Sequence, residues 1–235
     1  MHQFVKDIAS LLTDTILPSR CVVCRQEHPS ALCPECISLL TPAELSCAVC
    51  GKPSLGGMAH SICATRTTPL QVFALYDYRD RRVAKSIIAG KYSLVQDVFR
   101  AYAALLGPAC VQQLQRTPKS IISPIPLHSR RLAWRGFNQA ALLAQGIAHA
   151  TTLPYVDALI RVRYTKQQKD LHAAERTENV HNCFTVHPDV VSAVAGMHVI
   201  LTDDVYTTGN TMAVAAQTLR DAGAAQVSFV TVAKE

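Results

Sequence analysis

The sequence has 235 residues, 49% of them hydrophobic and 17% charged. That balance excludes a disordered polar chain and leaves room for one medium domain or two unequal ones. The formal charge of +6 invites an anionic partner, but nine cysteines complicate the count, because any that bind metal are thiolates.

The chain opens with "MHQFVKDIASLLTDTILPSR". Asp7 and Asp14 interrupt it, so it lacks the basic and apolar regions of a secretory signal. Phe4, Val5, Ile8, Leu11, Leu12 and Ile16 recur at helical spacing, which predicts an amphipathic helix over residues 1–17. No apolar stretch is long enough to span a bilayer, and a cytoplasmic location is expected.

Seven of the nine cysteines lie between Cys21 and Cys63, in four knuckles: "CVVC" (Cys21, Cys24), "CPEC" (Cys33, Cys36), "CAVC" (Cys47, Cys50) and "HSIC" (His60, Cys63). A Cys-x-x-Cys turn aims two thiolates at one pair of tetrahedral vertices, and two such turns complete a closed Zn²⁺ shell. Pairing in order predicts one four-cysteine site and one of three cysteines with His60, both structural, within a zinc ribbon over residues 18–68. Gly51 suits the tight turn after Cys50. Loaded with two Zn²⁺, the seven thiolates lower the formal charge from +6 to about +3, so a nucleic-acid role cannot be argued from net charge. Cys110 and Cys183 stand apart in apolar surroundings and read as buried hydrophobes.

From residue 69 the pattern alternates strand and helix to the end at 235. "VFALYDY" (72–78) predicts a strand and "RRVAKSIIAGKY" a helix, with Lys91 and Tyr92 either framing an acceptor site or lying on plain surface. "LVQDVFRAYAALL" predicts a helix broken at Gly107-Pro108. "SIISPIP" (120–126) predicts a buried strand closed by prolines, followed by the arginine-rich loop "LHSRRLAWRG". "FNQAALLAQGIAHA" (137–150) has helical spacing. "HVILTDD" (198–204) and "QVSFVTVA" (226–233) predict strands around the helix "TMAVAAQTLRDAG", a βαβ unit in a largely parallel sheet with a right-handed crossover.

Ligands of such sheets bind beyond the carboxyl ends of the strands, where "TDDVYTTGNT" falls. Thr207, Thr208, Gly209, Asn210 and Thr211 offer amides and hydroxyls at a helix N-terminus, suited to phosphate. Asp203 and Asp204 would repel phosphate and so face sugar hydroxyls, a metal ion, or both. A sugar 5-phosphate meets every element of that description. The lysine of a P-loop is missing.

This stretch resembles the phosphoribosyl pyrophosphate (PRPP) motif of type I phosphoribosyltransferases. "SPIPLHSRRLAWRGFNQA", "TKQQKDLHAAERTENVHNCF" and the paired zinc knuckles, in that company, resemble the ComF/GntX family of competence-associated, phosphoribosyltransferase-like proteins over about residues 18 to 235. His60 in place of a cysteine and Thr202 before the acids depart from the family pattern. The resemblance implies an α/β fold, a parallel sheet flanked by helices with a small N-terminal double zinc ribbon. It implies PRPP and Mg²⁺ as ligands, phosphoribosyl transfer to an unknown acceptor, and links to DNA uptake. Arg130, Arg131, Arg135 and Gly136 fall where such enzymes hold pyrophosphate. Asp203, Asp204 and Arg135 are then the candidate catalytic groups. "RYTKQQKDLHAAERTENV", with Arg163, Lys166, Lys169 and Arg176, falls where a flap closes over PRPP. A non-catalytic module that senses PRPP, or that binds single-stranded DNA beside a competence helicase, is the competing expectation, and Trp134 either packs or stacks on a base.

Overall fold

A computed structural model describes residues 19–65, 67–93, 95–163 and 183–235. The expected N-terminal helix, and the expected flap apart from Arg163, lie outside these residues.

The cysteine-rich part carries little regular structure. Helix α1 (Pro34–Ser38) starts at Cys33, whose Sγ accepts from the amide of Cys36 at 3.4 Å, so the same thiol caps a helix and faces a metal site. The chain then runs along the outer edge of β1 (Val72–Asp77). There the amide of Ala43 donates to the Leu75 carbonyl and that of Asp77 to the Thr41 carbonyl. An edge strand left open is a template for aggregation; here the ribbon covers it.

The central sheet has the order β1–β6–β5–β2, all parallel, built from β2 (Ser120–Pro124), β5 (His198–Tyr206) and β6 (Gln226–Lys234). A parallel sheet is covered on both faces and its strands are nearly all apolar. On one face Ile122, Ile200, Val230 and Val232 pack with α2 (Arg81–Tyr92), α3 (Gln96–Gln113) and, beyond β2, α5 (Gln139–Thr151). On the other, Ile121, Val199, Leu201 and Phe229 meet α7 (Asn210–Asp221) and a hairpin of β3 (Leu159–Arg161) with β4 (Phe184–Val186). A short α6 (Val191–Val194) precedes β5. No helix among the described residues is long and apolar enough to cross a membrane.

Two expected features differ. Helix α3 does not break at Gly107-Pro108 but runs on to Gln113. Proline removes one i→i−4 hydrogen bond; here the carbonyl deprived of it is that of Ala104, an exposed residue. Gly107 meanwhile admits α5, since a Cβ there would stand 2.7 Å from Ala150 Cβ, and Leu106 and Cys110, buried in the same core, hold the helix on either side of the proline. The arginine-rich segment is not a loop either. It forms α4 (Ser129–Arg135), capped by the His128 side chain and ended by Gly136 at φ 76°.

Candidate functional site

The four knuckles close into two clusters as the spacing requires: Cys21, Cys24, Cys33 and Cys36 in one, Cys47, Cys50, His60 and Cys63 in the other. The ligand atoms within each lie inside 4.8 Å of one another. The Cys24 and Cys33 sulfurs are 3.8 Å apart, matching the roughly 3.8 Å edge of a tetrahedron with Zn–S bonds near 2.3 Å. His60 belongs to its cluster. Its Nδ1 is 3.3 Å from Cys50 Sγ, while Nε2 is 3.2 Å from the Pro53 carbonyl. Ligation through Nδ1 leaves the proton on Nε2, where it donates to that carbonyl and fixes the ring. Four ligands per cluster leave no open position, which is the pattern of structural zinc. His60→Ala is expected to lower metal content from two zinc ions per chain to one by elemental analysis. Loss of both would show that the two clusters fold as one unit.

The second site lies where β5 ends and α7 begins. Asp203 and residues 205 to 212 line an open recess. Helix α7 starts at Asn210 with Gly209 as its cap, at φ 73°, and no side chain occupies the first amides. Thr207, Thr208, Gly209, Asn210 and Thr211 are thus brought together as expected. Gly209 has a nearer constraint than a ligand: a Cβ there would lie 2.5 Å from the Tyr206 hydroxyl. The loop rests on Tyr206, whose ring packs on Phe229 at 6.1 Å.

Strand alternation aims the two acids at different neighbours, while their carboxyls stay within hydrogen-bonding reach of one another. Asp203 lines the recess. Asp204 points to the face of α2 and α5, where it forms an ion pair with Lys91 and accepts from Gln139 Nε2 at 3.4 Å. Gln139 Oε1 in turn accepts from Arg135 Nη1 at 2.5 Å. The amide can serve both neighbours in this orientation alone, with oxygen toward the guanidinium and nitrogen toward the carboxylate. Asp204, Gln139 and Arg135 are 3%, 4% and 7% exposed. The guanidinium carbon of Arg135 stands 6.0 Å from the Tyr92 ring centre.

This geometry divides the electrostatics. Burial, then the neighbouring Asp204 charge, raises the Asp203 carboxyl well above its ordinary range. Burial also pushes Asp204 up, but the Lys91 ammonium outweighs it and holds Asp204 below the usual carboxylate value. Burial depresses Lys91, and Asp204 more than restores it, so the ammonium keeps its proton above the ordinary lysine range.

The three arginines separate too. Arg130 is exposed and Arg131 half-buried on α4, while Arg135 turns inward to Gln139. Gly136 is exposed, and a Cβ there would meet nothing within 4 Å; its positive φ ends α4. Lys91 as partner of Asp204, and Gln139 and Tyr206 altogether, escaped the sequence reading. A signal for the first two was present. Lys91 continues the i, i+4 row of buried Val83 and Ile87, and Gln139 heads the row of buried Leu143 and Ile147. A polar residue in such a row has a polar partner inside.

Residues 134–235 match the family model described as phosphoribosyl transferase domain, and residues 12–65 that of the double zinc ribbon domain. The DNA utilization protein YhgH of Salmonella typhimurium is 33% identical over 224 residues, covering 90% of this chain and 95% of that one. Competence protein ComFC of Bacillus subtilis is 29% identical over 198 residues, covering 79% and 76%. The chain belongs to the ComF family. Among solved structures, adenine phosphoribosyltransferase of Leishmania donovani is similar over 63% of this ComF chain and 68% of its own, at 16% identity and a TM-score of 0.36. The phosphoribosyl transferase match begins at Trp134, so it takes in both acids, Arg135 and Gln139, while Lys91, Arg130 and Arg131 lie before it.

Proposed function

We propose that this ComF-family protein binds PRPP with Mg²⁺ at the end of β5 and transfers its phosphoribosyl group to an acceptor. The observation that carries this reading is the recess itself. One carboxylate, Asp203, stands beside a glycine-capped helix N-terminus at the carboxyl end of a central parallel strand. The loop of Thr207 to Thr211 anchors the 5-phosphate through amides and hydroxyls. Asp203 takes the ribose hydroxyls. Arg130 and Arg131, on the helix that follows β2, receive pyrophosphate, since guanidinium groups bind its oxygens in pairs. Mg²⁺ takes oxygen ligands and keeps several waters; Asp203 and the threonine hydroxyls fit that preference, and the bound ion supplies charge neutralisation on the phosphates. The thiolate zinc ligands agree with work in the reducing cytoplasm.

Calorimetry of the zinc-loaded protein with PRPP and Mg²⁺ tests the binding, and release of pyrophosphate in the presence of candidate acceptors tests the transfer. Arg130→Ala with Arg131→Ala separates the two. Pyrophosphate gains charge as the C1 bond breaks, so an arginine on it contributes more to the transition state than to the ground state. Turnover is expected to fall ~10²-fold, by analogy with loss of an oxyanion donor, and PRPP affinity much less.

A specific observation favours a second reading, a module that senses PRPP or holds single-stranded DNA beside a helicase. Trp134 is 58% exposed, its ring 6.1 Å from that of Tyr92, on the helix that carries Arg130 and Arg131. Bases stack on such rings while arginines meet the phosphates. Under this reading the double arginine variant has no turnover to lose, and its affinity for single-stranded DNA drops with a shallower salt slope.

A further inference from the structure

Resting on the PRPP reading, we infer that the second zinc cluster positions the phosphate loop of Thr207 to Thr211. Ser46 and Lys234 tie that cluster to the strand end that carries Tyr206, so zinc held there sets the affinity for a sugar 5-phosphate.

The two clusters brace different parts of the body. The first faces α2. Lys85 Nζ donates to the Val23 carbonyl inside the first knuckle at 2.8 Å. The amide and hydroxyl of Thr41 both donate to Asp80, the cap of α2, at 3.0 Å. Val22 and Leu32 are buried in the core that lies under α2, α3 and α5.

The second cluster faces the other way. Ala48, between Cys47 and Cys50, packs against the apolar core on the α7 side, which holds Phe229 and against which Tyr206 also packs. Ser46, the residue before Cys47, accepts from Lys234 Nζ at 2.5 Å. Lys234 stands opposite Tyr206 in the register of β5 with β6. The next amide, that of Glu235, donates to the Tyr206 carbonyl at 3.0 Å. The phosphate loop rests on the Tyr206 ring, since a Cβ on Gly209 would lie 2.5 Å from its hydroxyl. The steps from metal to phosphate loop are thus Cys47, Ser46, Lys234, Tyr206 and Gly209. Ser46 and Lys234 are positioning residues.

Metal, not apolar burial, holds this part of the ribbon together. Leu55 and Ile62 are 91% and 92% exposed, and so short a segment keeps its fold through its zinc. Without the ion, Ser46 leaves Lys234, Ala48 leaves the apolar core, and the end of β6 loses its brace. Tyr206 then shifts under Gly209, and the first amides of α7 lose their aim at the phosphate. Arg130 and Arg131, which take pyrophosphate, stand on a different element. The second cluster is also the more open one. Cys50 is exposed and Cys63 half-buried, whereas Cys21, Cys33 and Cys36 are all buried, so a chelator reaches the second ion first.

Ser46→Ala and Lys234→Met cut the tie and leave all eight metal ligands in place, while His60→Ala removes a ligand. Titrate the parent and each variant with ribose 5-phosphate and with pyrophosphate, each with Mg²⁺, and follow amide hydrogen exchange. Lys234→Met, carrying two zinc ions by elemental analysis, is expected to lose ~10-fold in ribose 5-phosphate affinity, the worth of one hydrogen bond to a charged group. Its pyrophosphate affinity is expected to stay within about twofold of the parent, as for a distant, independent site. His60→Ala is expected to lose at least as much, and Ser46→Ala, which keeps the ammonium, less. Exchange in residues 205 to 212 is expected to quicken in all three, with α2 at the parent rate.

Equal losses for both ligands in a folded Lys234→Met, or exchange that quickens throughout the chain, shows general loosening and overturns the inference. So does unchanged exchange in residues 205 to 212 once the second zinc is gone. A parent that binds neither PRPP nor ribose 5-phosphate overturns the phosphoribosyl reading, and the exchange rates then decide by themselves whether the cluster holds the loop.

Discussion

Lys91→Met is expected to destabilise the protein by about 3–5 kcal/mol, the range for removing one partner of a buried ion pair. The lysine side chain is 22% exposed and that of Asp204 only 5%, so water cannot replace the missing ammonium. Asp204 then keeps the hydrogen bond from Gln139 and the charge of Arg135, without its closest cation. Adding Asp204→Asn removes the stranded charge while an amide oxygen still accepts from Gln139, and the double variant is expected to recover most of the loss. Additive losses would show that the two side chains are not coupled, and a single-variant loss inside about 0.5 kcal/mol would show that the pair is not buried in solution. Urea unfolding of the zinc-loaded protein measures both.

The sign of the pH dependence follows from the two shifts. Asp204 is depressed in the folded state, so its contribution is present above the ordinary carboxylate pKa and is lost as pH falls through the folded value. Lys91 is raised, so its contribution is present below the ordinary lysine pKa and is lost as pH rises through the folded value. Asp203, beside Asp204 and holding its proton above the usual carboxylate range, keeps a second negative charge off the site over the lower part of that window, and Arg135 adds a fixed positive one.

What could be read from the sequence was what short-range chemistry dictates. Two residues between ligands fix a knuckle whatever the rest of the fold does, and the eight residues of the four knuckles gather into two clusters. The run from Val199 to Thr211 also declared itself, because strand, acids and small hydroxylated residues follow one another without a gap. Where the outcome depended on distant partners, the reading failed. Gly107-Pro108 carries a local signal for a break, and only the packing of α5 against Gly107 explains why α3 continues. "HSRRLAWRG" has the cap and terminator of a helix in His128 and Gly136, but seven residues are too few for periodicity to show. Asp203 and Asp204 look equivalent in sequence. A period of two gives them different neighbours if the strand runs through both, as it does here, extending past residue 204 to Tyr206.

Gly209→Val is expected to reduce PRPP affinity ~10- to 100-fold, the loss of one or two hydrogen bonds to a charged group. Two constraints meet at this position. The backbone sits at φ 73°, a region that disfavours β-branched residues by roughly 1–2 kcal/mol. The valine Cβ would also stand 2.5 Å from the Tyr206 hydroxyl and 2.7 Å from the ring carbon that bears it, closer than any relaxed contact. The ring is held by Phe229 beneath it, so the strain is relieved by the loop, which swings the first amides of α7 away from the recess. Tyr206→Ala combined with Gly209→Ala tells the two causes apart. It clears the clash and keeps the backbone penalty, so it is expected to bind more tightly than Gly209→Ala alone. If the clash is irrelevant the two bind equally, and Tyr206 is no support for the loop. If Gly209→Val itself binds PRPP as the parent does, with its near-ultraviolet dichroism unchanged, the amides of α7 do not hold the phosphate and the site has to be sought elsewhere on the sheet.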